Sequence, residues 1–246
     1  MKIANRIISY DTAPLIIAEL GINHGGDLSV AKKMVDLAST SGCEIIKHQT
    51  HFLEDEMTYE AKEIFPPNAN MSIWEVMEKC ALSKEDEIEL KKYTENLGMI
   101  YISTPFSRKA ADFLDEIGVS AFKIGSGEFS DIPFIDSVCK LNKPVILSTG
   151  MSNLDEIQEV SKFLSRYKNK FALMNCTSEY PPIYEDINLG FIEFLKKKYP
   201  KFIIGHSDHT NTIYTSLAAV AKGAQIIEKH VFLDGKNFGP DRDVSI

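Results

Sequence analysis

Short apolar runs rich in valine and isoleucine alternate along this chain with longer stretches whose apolar residues recur every three or four positions. The short runs fit strands buried on both faces, and the longer ones fit amphipathic helices. The pattern predicts strands at Leu15–Glu19, Glu44–Gln49, Met99–Ser103, Ala121–Gly125, Pro144–Ser148, Phe171–Asn175, Phe202–Gly205 and Gln225–His230. It predicts helices at Leu28–Ser41, Lys84–Leu97, Arg108–Ile117, Ile132–Leu141, Leu154–Tyr167, Ile187–Tyr199 and Thr212–Lys222. Strictly alternating strands and helices imply parallel βαβ units with right-handed crossovers. Eight such units wind into a closed (β/α)8 TIM barrel, an α/β fold; a doubly wound open sheet shows the same alternation. The length of 246 residues suits one barrel domain over 1–246. That domain carries a short N-terminal extension, 1–13, and an insertion, 58–80, after the second strand. The insertion holds Pro66-Pro67 and a short helix around Trp74, and a loop in that position lies over the active-site face of a barrel. Sixteen residues follow His230 and read as loop, so the eighth helix is expected to be missing.

The polar residues fall where the strands end. Glu19 closes the first strand, Lys47 and Gln49 the second, Ser103 and Thr104 the third, and Lys123 and Ser126 the fourth. Ser148 and Thr149 follow the fifth, and Asn175, Thr177 and Ser178 the sixth. Ser207, Asp208 and His209 follow the seventh, and Glu228 and His230 end the eighth. One such residue is an ordinary loop start. Eight strands in succession are what a barrel active site requires, because charges inside apolar runs are costly unless paired or ligated. Lys47 and Lys123 read as anion ligands, supported by hydroxyl donors at Ser103-Thr104, Ser126 and Ser148-Thr149. The alternative pairs the two lysines with Glu19 and Glu128 as buried ion pairs. His209 and His230 are candidate metal ligands: two imidazoles leave positions for water and substrate, as a catalytic divalent ion needs. Alternation turns His48 away from Lys47 and Gln49, towards the helices. His51 and His206 are expected to line the rim.

Composition narrows the partners. A net charge of −8 argues against a nucleic-acid surface, so an anionic small substrate must be met by local lysines. Cys43, Cys80, Cys139 and Cys176 stand far apart without a CxxC pair, which suits reduced thiols in a cytoplasmic protein. No secretory h-region and no membrane-spanning run is visible.

With these residues assembled, the chain strongly resembles the N-acetylneuraminate (sialic acid) synthase family. The resemblance rests on IIAELGINHGGDL, IIKHQTHFLEDEM, YISTPFSRKAADFL, AFKIGSGE, PVILSTGMSNLDEI, NCTSEYPP, GHSDHT and IEKHVFLDGKNFGPDRDVS, in the family's order from Pro14 to Ser245. It implies a (β/α)8 barrel that condenses phosphoenolpyruvate with an amino-sugar aldehyde, either N-acetylmannosamine or a 2,4-diacetamido-trideoxy-hexose. By resemblance, phosphoenolpyruvate is held by Lys47, Thr104, Lys123, Ser126, Ser148 and Ser207, with Ser178 standing where many members have asparagine. The metal sits on His209 and His230; Mn2+ is the first choice, with Mg2+ or Co2+ as alternatives. The sugar contacts Glu19, Gln49, Tyr180 and Asp241, and Glu19 or Glu128 manages the proton of the attacking water. The family also implies a homodimer in which a C-terminal antifreeze-like domain caps the partner's site; this stretch of chain is expected to lack that domain, which a separate chain or a longer polypeptide supplies. Two other readings stay open: a barrel that condenses phosphoenolpyruvate with an aldose phosphate, and a non-catalytic ligand-binding barrel subunit.

Overall fold

In the computed structural model, which describes residues 1–65, 70–233, 239 and 241–246, eight parallel strands close into a barrel. They are β3 (Leu15–Gly21), β4 (Ile45–Thr50), β5 (Ile100–Pro105), β6 (Phe122–Ile124), β7 (Val145–Ser148), β8 (Phe171–Cys176), β9 (Ile203–Asp208) and β10 (Ile226–His230). They pair in chain order, and β10 returns to β3 with His230 beside Glu19. Closure removes every strand edge. The pattern of short apolar runs is therefore that of a (β/α)8 barrel and not of an open sheet.

Seven helices follow seven strands and cover the outside: α1 (Leu28–Thr40), α4 (Lys84–Asn96), α5 (Arg108–Glu116), α6 (Ile132–Lys140), α7 (Leu154–Leu164), α8 (Gly190–Lys198) and α9 (Tyr214–Ala221). Five of their starts are fixed by side-chain caps: Asp27 accepts from the N–H groups of Ser29 and Val30 to begin α1, and Asn153 and Glu156 form a capping box on α7. The last two helices begin two to three residues later than the apolar spacing suggests, because no side chain caps either of them. The insertion after β4 begins earlier than the expected residue 58 and forms α2 (Leu53–Glu56), a 3-10 turn at Tyr59–Glu63 and α3 (Ile73–Cys80). Its Pro66-Pro67 pair lies outside the described residues.

Among the described residues after β10 there is no α-helix. They hold a 3-10 turn, Arg242–Val244, and the Ile246 N–H donates to the His230 carbonyl at 3.1 Å. Outside the β10–β3 seam, Ile16 is 39% exposed, although its neighbours Leu15 and Ile17 are fully buried.

Alternation along each strand separates two cores. Leu15, Ile17, Ile45, Ile102, Ile146, Ala172 and Ile226 point inward, and Ala18, Leu20, Ile46, Leu147 and Ile204 meet the helices. The N-terminal extension is not featureless. It forms a two-stranded ribbon, β1 (Lys2–Ile3) and β2 (Arg6–Ile7), and Ile3 and Ile8 are fully buried against the inward-facing set. They plug the barrel at the strands' N-terminal end, which leaves the opposite end as the open mouth.

Gly205 shows how tightly the interior is filled. A Cβ there would meet the Met174 sulfur, the Ile226 carbonyl oxygen at 2.6 Å and Ile226 Cβ at 2.9 Å. Two of these atoms cannot swing away. Gly205→Ala is therefore expected to cost about 1–3 kcal/mol, seen as a lowered denaturant midpoint with an unchanged slope. A midpoint equal to that of the parent would mean that the interior has slack.

Candidate active site

The inward parity of each strand carries its last polar residues to one mouth. Glu19, Lys47, Gln49, Thr104, Lys123 and Ser148 line a single cleft of about 300 Å³ with Ser126, Glu128, Ser178, Tyr180, Ser207, His209, Glu228 and His230. Phe106, Met151 and Cys176 complete its wall. Residues more than two hundred positions apart thus converge, and Lys47 and Lys123 open onto the same space.

The charged floor is built from four side chains that are almost wholly buried: Glu19, Lys47, Lys123 and Glu228. Lys47 Nζ lies 2.9 Å from Glu19 Oε1, 3.9 Å from Glu228 Oε2 and 3.0 Å from Thr104 Oγ1. Lys123 Nζ donates to Ser148 Oγ at 2.7 Å and lies 3.5 Å from Glu228 Oε1, which also accepts from Ser207 Oγ at 2.9 Å. The ion-pair alternative is therefore half right: Glu19 holds Lys47, but Glu228, not Glu128, stands between the two ammonium groups. Burial pushes the Glu19 carboxyl up to about 7 against the pull of Lys47. Glu228 is also pushed up by burial, yet the two lysines outweigh that and hold it at about 2. Glu19 Oε2 and Glu228 Oε2 have no hydrogen-bond partner. Buried polar atoms left without partners are costly.

The two imidazoles stand together, their ring centres 5.5 Å apart. His209 Nδ1 lies 2.8 Å from the Thr177 carbonyl, an acceptor, so Nδ1 carries the hydrogen and Nε2 presents a lone pair. In this structure the Tyr180 hydroxyl reaches that Nε2 at 3.2 Å. His230 Nδ1 has no hydrogen-bond partner, and Asp241 Oδ2 lies 3.5 Å from it. Burial lowers His209 to about 4 and His230 well below its ordinary value, which keeps both rings neutral near pH 7. Burial also raises the Asp241 carboxyl to about 6. Gly21 makes room for this corner. Its φ of +54° favours glycine, and a Cβ there would lie 2.9 Å from Asp241 Oδ2 and 3.2 Å from His230 Nδ1. Two adjacent neutral imidazoles, His209 with its tautomer fixed by Thr177 and His230 with an unpartnered Nδ1, fit a divalent cation. No cluster of three or more His, Cys, Asp or Glu ligands occurs among the described residues, so further positions would fall to water or substrate.

Several expected neighbours of the site turn the other way. Ser103 and Thr149 face outward, Ser103 to Thr50 (2.7 Å) and Thr149 to the Met174 carbonyl (3.0 Å). Asn175 donates to the Ile187 carbonyl at 3.2 Å. Asp208 is buried on the outer side, accepts from Thr210, Thr215 and Ser216, and pairs with Lys229 at 3.3 Å. These bonds hold its carboxyl below the usual range against burial and fix the turn that carries His209. His51 and His206 do not line the rim: each is at most 5% exposed, with His206 Nδ1 3.1 Å from the Asn175 carbonyl. His48 points to the helices as alternation requires and meets His24 Nε2 at 3.0 Å. Behind it, Glu87 of α4 accepts from Thr50 (2.6 Å) and Tyr101 (3.0 Å), which braces β4 and β5. The central position of Glu228 was not foreseen, although its signal is plain: in IIEKH, Glu228 and His230 are two apart and share the inward face.

A closed barrel whose C-terminal mouth joins buried lysines to neutral imidazoles defines a TIM-barrel enzyme for a small anionic substrate. The NeuB family model matches residues 34–246, and the chain belongs to the NeuB family. It is 39% identical over 239 residues to the N,N'-diacetyllegionaminic acid synthase of Campylobacter jejuni, covering 94% of this chain and 71% of that protein. It is 34% identical to the human N-acetylneuraminate-9-phosphate synthase, covering 94% of this chain and 65% of that one. Among solved structures, the N-acetylneuraminic acid synthetase of Leptospira borgpetersenii, in complex with citrate, superposes with a TM-score of 0.88 at 33% identity. That match covers 100% of this chain and 82% of the other. No described helix is long and apolar enough to cross a membrane.

Proposed function

We propose that this chain condenses phosphoenolpyruvate with an N-acetylated amino-sugar aldehyde, giving a sialic-acid-type nonulosonate and inorganic phosphate. The observation that carries this reading is one cleft in which Lys47 and Lys123 stand beside His209 and His230. Its family supports the same chemistry.

The chain's own groups divide the work. Lys47 and Lys123, with the hydroxyls of Thr104, Ser126, Ser148, Ser178 and Ser207, hold the carboxylate and phosphate of phosphoenolpyruvate. Binding such an anion fills the space that the four buried charges leave open, and orients C3 of the enol towards the acceptor. Glu19, Gln49, Tyr180 and Asp241 hold the sugar. His209 and His230 would hold the divalent cation, Mn2+ first and Mg2+ or Co2+ as alternatives, which would supply Lewis acidity for the aldehyde oxygen. C3 then attacks the aldehyde carbon, the C2 centre becomes electron-poor, and water adds to it. The resulting tetrahedral carbon releases phosphate by C–O cleavage. The same reading places the enzyme in the cytoplasm as a homodimer that needs a separate antifreeze-like capping domain.

A carboxylate must accept the proton of the attacking water. Burial raises Glu128 above the ordinary carboxylate range, and its Oε2 has no partner; we assign it this role. It accepts a proton only when ionised, so kcat should fall as the pH drops through that raised value. Glu128→Gln is expected to lower kcat on the order of a hundredfold and to erase this acidic limb of the pH profile. A limb that survives in the variant transfers the role to Glu19.

Phosphate release from phosphoenolpyruvate, measured with a panel of acceptors with and without Mn2+, tests the whole assignment. Release with an N-acetylated hexose is the expected result. Release with an aldose phosphate in its place, or binding of phosphoenolpyruvate without release, overturns it.

A further inference from the structure

His51 lies just beyond β4, is 5% exposed, and stacks on Phe106 with ring centres 4.4 Å apart. Its Nδ1 lies 3.0 and 3.2 Å from the two carboxylate oxygens of Glu56 on α2. The Phe52 N–H also donates to Glu56, at 3.2 Å. The other ring nitrogen, Nε2, lies 3.2 Å from Gln49 Oε1, while Gln49 Nε2 donates to Glu19 Oε1 at 3.0 Å. Four side chains thus form one row from the insertion to the floor of the cleft.

The donor count along that row is fixed by chemistry. The Gln49 amide turns its NH2 towards Glu19 and its carbonyl towards His51. That carbonyl needs a donor, and Nε2 is the group that faces it. Glu56 only accepts, and Nδ1 faces it. The ring therefore donates from both nitrogens. Were Nε2 a bare lone pair, the amide would rotate by half a turn and set its carbonyl against the Glu19 carboxylate. Besides Glu56, the titratable groups near this ring among the described residues include Glu128 after β6, Asp241 near the C-terminus and His24 after β3.

We propose that His51, anchored by Glu56, is a positioning residue that donates from both ring nitrogens and so fixes the Gln49 amide with its NH2 towards Glu19 and the acceptor sugar. The insertion after β4 thereby becomes part of the acceptor side of the site: α2 supplies the anchor, and His51 transmits its position. The consequence for the acceptor rests on the synthase reading given above; the protonation and amide orientation do not.

The test has two arms on the full chain. In the first, the imidazole nitrogens of the 15N-histidine-labelled protein are read by NMR at pH 7, with His51→Phe assigning the His51 signals. Both nitrogens protonated is the expected result, and a neutral His51 ring overturns the proposal. In the second, His51→Phe and Glu56→Gln are each expected to raise KM for the amino sugar about tenfold while KM for phosphoenolpyruvate stays within twofold of the parent. An unchanged acceptor KM in both variants overturns it, as does an equal rise in both constants, which would reveal a merely structural role. If the parent turns over no amino sugar, the synthase reading fails, and the NMR arm still decides the state of His51. Should His51→Phe not fold, Glu56→Gln carries the kinetic comparison, and loss of the doubly protonated signal in that variant assigns it to His51.

Discussion

Replacing His230 by alanine is expected to lower divalent-cation-dependent turnover by at least about a hundredfold while leaving the barrel folded. The size follows from metal sites in general, where even the outer partners of a ligand cost ten- to a hundredfold when removed. The side chain is 4% exposed, burial holds it neutral, and Nδ1 makes no hydrogen bond. An imidazole whose Nδ1 makes no hydrogen bond contributes little to stability, so its removal should barely move the melting temperature. Turnover measured across a Mn2+ titration, with the bound fraction read by electron paramagnetic resonance, checks both halves. Full activity at limiting Mn2+ would remove His230 from the ligand pair.

The second large effect concerns the shared carboxylate. Lys123→Met deletes the cation 3.5 Å from Glu228 and leaves that buried carboxylate with Lys47 at 3.9 Å. Breaking a buried pair from one side costs about 3–5 kcal/mol, because the remaining charge loses its partner. The variant should therefore be less stable by about 3 kcal/mol, and its KM for phosphoenolpyruvate should rise on the order of a hundredfold for a lost charge-assisted hydrogen bond. The double variant Lys123→Met with Glu228→Gln separates the two consequences. Removing both charges is expected to restore most of the stability, since replacing a whole buried pair is often nearly neutral. It should not restore the affinity for phosphoenolpyruvate. Denaturant midpoints and steady-state kinetics of the three variants give the full cycle. Additive losses of stability would mean that the two side chains do not interact.

How much of this was legible beforehand depended on whether a residue's direction follows from local rules. Within a strand it does: alternation sends Lys47 and Gln49 inward and His48 outward. The same rule reaches Glu228 two positions before His230. Along β9 it holds as well: Ser207 and His209 enter the cleft while Asp208 between them turns out to Lys229. Beyond the strand ends the turn decides. His51 looked like a rim residue, yet α2 folds back and covers it with Glu56. The ribbon at Lys2–Ile7 was also unforeseen. Its strands are two residues each, too short for any periodicity, and their burial depends on a barrel floor assembled from distant segments.

The convergence of anion site and metal site at one mouth is the claim on which the rest stands. The most direct measurement is anomalous diffraction at the manganese edge from crystals soaked with Mn2+ and phosphoenolpyruvate. The account predicts one peak within bonding distance of nitrogens from both His209 and His230, with the bound phosphoenolpyruvate on Lys47 and Lys123 in the same cleft. A peak away from either imidazole, or a ligand seated elsewhere on the barrel, would contradict it.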